Sequence, residues 1–153
     1  MDKKEAYRAA LAALAERTAQ ESDLIANLAN ASAILMEHME KINWAGFYFA
    51  REGGLVLGPF QGRAACVRLT PGHGVCGTAL REDRTLIVPD VRAFPGHVAC
   101  DDRSRSEIVV PLHVRGRLRA VLDIDSPELS RFDEEDAEGL GRIAALLERS
   151  CKW

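Results

Sequence analysis

The chain has no run of about 18 apolar residues, so nothing in it reads as a membrane-spanning helix. Its first residues, Met-Asp-Lys-Lys-Glu-Ala, are charged and lack the apolar stretch of a signal peptide. A cytoplasmic, reducing location is therefore expected. No Cys-x-x-Cys pair occurs, and neither does a Ser-His-Asp order or a phosphate loop. The glycines at 72, 74 and 77 are only a weak match to a dinucleotide fingerprint. Neither sign of charge dominates. Twenty Lys and Arg against 23 Asp and Glu leave a net charge of −3, which offers no basic surface for nucleic acid or an anionic membrane. Internal repeats and low-complexity tracts are also missing. What remains is 153 residues, 47% apolar and 28% charged, enough for one globular domain (1–153) with its own core.

Cysteine is where the chain departs from the ordinary. Three of its four cysteines, Cys66, Cys76 and Cys100, fall within residues 66–100. Two lie in parallel settings, Gly-His-Gly-Val-Cys-Gly (72–77) and Gly-His-Val-Ala-Cys-Asp (96–101). Such density suggests redox chemistry, a metal site or a disulfide framework. In a reducing compartment permanent disulfides are disfavoured and transient catalytic ones are allowed, which removes the framework.

Hydrophobic periodicity organises the rest. Ala-rich residues 3–17 predict a helix. A second, reaching to about residue 41, carries an apolar stripe of Leu24, Leu28, Ala31, Leu35 and Met39. Residues 43–50 read as a strand with Trp44, Gly46 and Tyr48 on one face and Ala45, Phe47 and Phe49 on the other. Further strands are expected from 55, over 64–69 and over 86–88, with a short helix at 75–80. Residues 89–106 read as a long loop of the kind that usually carries function. Strands at 107–114 and 118–125 and a helix at about 133–149 complete the chain. The order implies an α+β fold, an antiparallel sheet with helices on one face.

The last strand pair has a register that can be argued. Ile108, Val110, Leu112 and Val114 share one face, and Leu118, Ala120, Leu122 and Ile124 share another. Burying both sets together requires even residues opposite even ones. A three-residue loop, 115–117, satisfies this by pairing 114 with 118, and a two-residue turn breaks it. Val109 then faces Asp123, and Glu107 faces Asp125. Three carboxylates converge on the side away from the core, a repulsive arrangement unless a cation binds or a proton is held.

Each candidate also has a plain structural reading. Cysteines are often small buried hydrophobes, which suits Cys151 and fits Cys66 but not Cys100 beside Asp101 and Asp102. Trp44 and Tyr48 could be core, Asp123 and Asp125 a solvated face, and His73 and His97 turn polarity or caps. His73, Cys76, His97 and Cys100 have zinc-ligand chemistry, but one pair opens a helix and the other sits in a loop, unlike matched knuckles.

Seven stretches together resemble the free methionine (R)-sulfoxide reductases, stand-alone GAF-domain enzymes. They are Asn-Trp-Ala-Gly-Phe-Tyr (43–48), Gly-Pro-Phe-Gln-Gly (58–62), Gly-Val-Cys-Gly-Thr-Ala (74–79), Val-Pro-Asp-Val (88–91), Pro-Gly-His-Val-Ala-Cys-Asp (95–101), Ser-Glu-Ile-Val-Val-Pro (106–111) and Leu-Asp-Ile-Asp-Ser (122–126). The resemblance covers roughly residues 20–148, and its cysteine spacing of ten and then twenty-four is specific. It implies a GAF fold with a pocket on the sheet face away from the helices. It also implies that Cys100 attacks the sulfoxide sulfur, and that Glu107, Asp123 and Asp125 hold the substrate ammonium and help protonate the departing oxygen. Trp44 and Tyr48 would enclose the methyl end. Cys66 would form the recycling disulfide, with Cys76 as an additional or alternative partner, and thioredoxin would restore the dithiol. No metal or organic cofactor is implied. The (R) preference rests on resemblance alone. A non-catalytic GAF sensor and a structural zinc protein are the alternatives, and the Ala-rich first helix could pair with a second copy in a homodimer.

Overall fold

Asp begins each of the three long helices. The computed structural model describes residues 2–98 and 100–153. Its α-helices and strands are α1 (Lys3–Thr18), α2 (Leu24–His38), β1 (Trp44–Arg51), β2 (Gly54–Gly62), β3 (Arg68–Leu69), α3 (Gly74–Glu82), β4 (Leu86–Val88), β5 (Ser106–Val114), β6 (Arg117–Ser126) and α4 (Glu134–Ser150), with a short 3-10 turn at Val91–Ala93. Asp2, Asp23 and Asp133 cap α1, α2 and α4 by accepting backbone N–H groups from the first turn. At α4 the Asp136 side chain accepts the Asp133 N–H in return, closing a capping box.

All strand pairs are antiparallel, in the order β3-β2-β1-β6-β5-β4. The alternation read in residues 43–50 holds. Ala45, Phe47 and Phe49 join Ile108, Val110, Leu112, Ala120, Leu122 and Ile124 under the helices. The stripe on α2 and Leu140, Ile143 and Leu147 of α4 complete that core. Trp44 and Tyr48 lie on the opposite face, with Val109, Val121 and the apolar side of α3. The sheet therefore carries a dry helical layer on one side and a smaller cluster around α3 on the other.

The turn after β5 corrects one expectation. It is a two-residue turn, Arg115-Gly116, both residues at positive φ (54° and 77°), and it pairs Val114 with Arg117. A β-bulge restores parity. His113 pairs with Leu118 but Leu112 pairs with Ala120, so Arg119 is an extra residue on β6. Leu118 consequently packs with the α3 cluster and not with Ala120, Leu122 and Ile124. Beyond the bulge the register is the expected one, with Glu107 opposite Asp125 and Val109 opposite Asp123.

A second correction concerns residues 64–69. Only Arg68–Leu69 forms a strand, while β2 runs on to Gly62. The carbonyl of Cys66 is taken by the Tyr48 hydroxyl (2.8 Å), so this stretch is tethered by a side chain in place of a ladder.

The Ala-rich helix α1 spends its apolar face inside its own chain, with Tyr7, Ala10 and Leu14 buried against α2 and α4. Tyr7 donates to the buried Asp136 (2.7 Å), which Lys3 also engages (2.7 Å). The Tyr7 ring lies directly on Gly139, where a Cβ would overlap it. Gly139→Ala should lower the unfolding free energy by roughly 1–3 kcal/mol, the usual penalty of overpacking. Urea unfolding followed by circular dichroism tests this. A rise in stability, as helix propensity alone would give, contradicts it.

Candidate active site

Strand parity builds one wall of the site. Beyond the bulge the odd residues of β5 and β6 face α3, so Glu107 and Asp125, directly paired, stand beside Asp123. Next to β6, β1 places Trp44 opposite Asp125 and Gly46 opposite Asp123. Gly46 has no space for a side chain, because Phe60 of β2 lies over it. That leaves Phe60 stacked on Trp44 (5.1 Å between centroids) and Trp44 stacked towards Tyr48 (5.9 Å).

The thiols come from three places. Cys76 sits in the first turn of α3, buried, with its sulfur 3.8 Å from a Glu107 carboxyl oxygen. Cys66, in the loop between β2 and β3, is joined to Cys100 by a disulfide with Cα atoms 5.4 Å apart. Cys151 lies elsewhere, half-buried against the helical core. Trp44, Tyr48, Cys76, Cys100, Glu107, Asp123 and Asp125 all line a single pocket, so the structure brings these expected residues together. Cys66 enters through its bond to Cys100. Cys76 remains a free thiol.

Other contacts position the Cys100 loop. The Asn43 amide donates to Asp101 (3.2 Å) and to Ser104 (3.2 Å), and Gly74 N–H donates to the Gly96 carbonyl (2.8 Å). Arg103 binds Asp101 through two nitrogens (3.2 and 2.9 Å) and holds its carboxyl down to about 2. Asp101 therefore stays ionised beside Cys100. Asn43, Asp101 and Ser104 had no assigned role from the sequence. Asn43 and Asp101 fall inside the motif stretches, but only the fold shows them touching.

The carboxyl cluster is electrostatically frustrated. Burial, and then the Asp123 and Asp125 charges, push Glu107 well above the usual carboxylate range. Burial, and then the Asp123 charge, do the same to Asp125. Burial raises Asp123 too, opposed by hydrogen bonds from Glu107, Cys76 and Asp125, which makes it the natural seat of a shared negative charge. Asp123 Oδ1 and Asp125 Oδ1 are buried without a hydrogen-bond partner among the described residues. Burial and these acids raise the Cys76 thiol far above its ordinary value, so it stays protonated and donates. Such a site calls for a cationic guest.

The Cys76 sulfur and oxygens of Glu107 and Asp123 lie within 4.8 Å of one another, close enough to share a metal ion. The set of two histidines and two cysteines weighed from the sequence is not assembled in this way. His73 and His97 line the pocket, but the Cys100 sulfur is bonded to Cys66. A second feature suits an anion. The first turn of α3 borders the pocket at Gly74, Val75 and Cys76, and its N-cap residue His73 makes no side-chain cap. Acidic groups and a helix N-terminus thus face one cavity, complementary to a molecule carrying both an ammonium and a carboxylate.

Comparison with known proteins accords with this geometry. Residues 26–149 match the GAF domain family. The chain is 53% identical to protein YtsP of Bacillus subtilis, covering 97% of this chain and 93% of that protein. It is 51% identical to the free methionine-R-sulfoxide reductase of Escherichia coli, covering 86% and 79%. The crystallised free methionine-R-sulfoxide reductase of Neisseria meningitidis, solved with its substrate, superposes with a TM-score of 0.94 at 47% identity over 98% of this chain and 90% of that one. With matched sequence, fold and coverage, the chain belongs to the GAF-domain family of free methionine-R-sulfoxide reductases.

Proposed function

We propose that this protein reduces free L-methionine (R)-S-oxide to L-methionine, with oxidation of its own cysteines and re-reduction by thioredoxin. The observation that carries this reading is the meeting, in one pocket, of a Cys100 disulfide and three crowded carboxyl groups. A sensor needs neither a redox pair nor a proton store beside its ligand.

The chemistry follows from the parts. In reduced protein the Cys100 thiolate attacks the sulfoxide sulfur while the sulfoxide oxygen takes a proton. A carboxyl kept neutral by its neighbours can give that proton, and Glu107 and Asp125 are the two pushed furthest toward the neutral form. The oxygen passes to Cys100 as a sulfenic acid and methionine leaves. The Cys66 thiol then attacks the Cys100 sulfur, water departs and the disulfide forms. Two electrons from an external dithiol restore both thiols. Cys76 is poorly suited to be a nucleophile because its thiol is held protonated. It serves better as a hydrogen-bond donor to the acids. The substrate ammonium would sit at Asp123 among the acids, its carboxylate at the first turn of α3, and its methyl end against Trp44 and Tyr48. The cycle needs no metal or organic cofactor, and the cytoplasm supplies the dithiol it requires.

Single-turnover methionine release from pre-reduced protein tests the assignment. Cys100→Ser should fall to background, because a hydroxyl at its ordinary pKa does not attack sulfur. Cys66→Ser should release about one methionine per chain and then stall as the sulfenic acid. Full release by Cys100→Ser contradicts the proposal.

The raised carboxyls also predict a pH effect on stability. Glu107 keeps its proton in the folded state to a higher pH than in the unfolded chain. Its ionisation therefore destabilises the empty fold as pH rises from its unfolded value, about 4.3, towards its folded one. Glu107→Gln should raise the melting temperature of substrate-free protein by a few degrees at about pH 8, with the gain shrinking towards about pH 4.5. Scanning calorimetry at both values checks this. A gain that is larger in acid contradicts it.

A further inference from the structure

Trp44 and Tyr48 do more than line the pocket. Their polar atoms reach the loop that carries Cys66. The Trp44 indole N–H donates to the Arg63 carbonyl (3.1 Å), and the Tyr48 hydroxyl donates to the carbonyl of Cys66 itself (2.8 Å). Both side chains are 2% exposed, so neither donor has water as a substitute. The chain also leaves β2 by folding over the indole. Gly62 has a φ of 135°, and a Cβ there would lie 2.5 Å from a Trp44 ring carbon. Between Gly62 and Arg68 the loop has no helix or strand of its own, and its other backbone anchor is Leu57 N–H to the Val67 carbonyl (2.9 Å).

We propose that Tyr48, assisted by Trp44, is a positioning residue for disulfide closure: its hydroxyl holds the Cys66 loop so that this thiol meets the Cys100 sulfenic acid. The proposal rests on the reduction cycle above. Closure requires the Cys66 sulfur to reach the Cys100 sulfur and displace its oxygen as water, so a free loop would first have to be ordered. A hydrogen bond from a strand-borne phenol to the backbone of the attacking residue supplies that order in advance. The phenol also remains a donor through the cycle, because burial beside the carboxyls keeps it protonated. One aromatic pair thus serves two steps, its faces enclosing the substrate and its edges holding the resolving thiol.

Tyr48→Phe keeps the ring and removes only the donor. Pre-reduced protein is mixed with methionine sulfoxide and quenched at intervals, reading methionine release and disulfide formation on the same samples. The ratio of closure rate to release rate should fall about fivefold, the worth of one ordinary hydrogen bond. Sulfenic acid trapped by a cyclic diketone should rise in step. A second arm oxidises the reduced protein with hydrogen peroxide, which makes the sulfenic acid without substrate in the pocket. The same slow closure is expected there, whereas a purely pocket-lining phenol would leave it unaltered. Closure at the parent rate in either arm overturns the proposal. Failure of the unsubstituted protein to release methionine would instead overturn the reduction cycle, and the positioning role with it.

Discussion

Three carboxyl groups crowded into one pocket, Asp123 buried and Glu107 and Asp125 half-buried, are the constraint on which this protein depends. Antiparallel pairing puts Glu107 directly opposite Asp125, with Asp123 two residues along the same strand face. Like charges so placed repel, and burial adds the loss of solvation. The fold tolerates this by keeping protons on the cluster, and Asp123 Oδ1 and Asp125 Oδ1 are left without a hydrogen-bond partner among the described residues. In the proposed cycle the same tension gives affinity for an ammonium and a proton source for a departing oxygen. Stability given up in the empty state is recovered when the right cation binds, a usual relation between strain and function.

The rest of the architecture positions chemistry around that cluster. The helical layer makes a rigid support by burying the even residues of β5 and β6. On the other face α3 contributes a protonated thiol and an open helix N-terminus. The two sulfurs joined in the disulfide come from loops, each restrained by a side chain of β1 or the residue just before it. Tyr48 holds the Cys66 loop, and Asn43 holds the loop of Cys100.

Much of this was legible in the sequence. Period-two alternation placed Trp44 and Tyr48 on the face opposite Phe47, and parity placed the three acids together, because side-chain direction in a strand has no freedom beyond two faces. The two-residue turn departs from the expected loop for a physical reason. Arg115 adopts a left-handed conformation that usually favours Gly or Asn, and the bulge at Arg119 compensates for it. A bulge has no composition of its own, so counting residues could not reveal it. The strand expected over 64–69 shortens to Arg68–Leu69. The Tyr48 hydroxyl, eighteen residues earlier, takes the carbonyl a ladder would need. Contacts such as Asn43 to Asp101 span 58 residues and have no local signal.

The central claim is that the acidic cluster reads the ammonium of a free amino acid. The most direct measurement compares kcat/KM for methionine sulfoxide and its N-acetyl derivative, which has the same sulfoxide but no positive charge. Leaving buried carboxylates unpaired carries a penalty of about 3–5 kcal/mol, so the free compound should be favoured by roughly 100-fold or more. Equal values for the two compounds would contradict the account, because the carboxylates would then have no part in choosing the substrate.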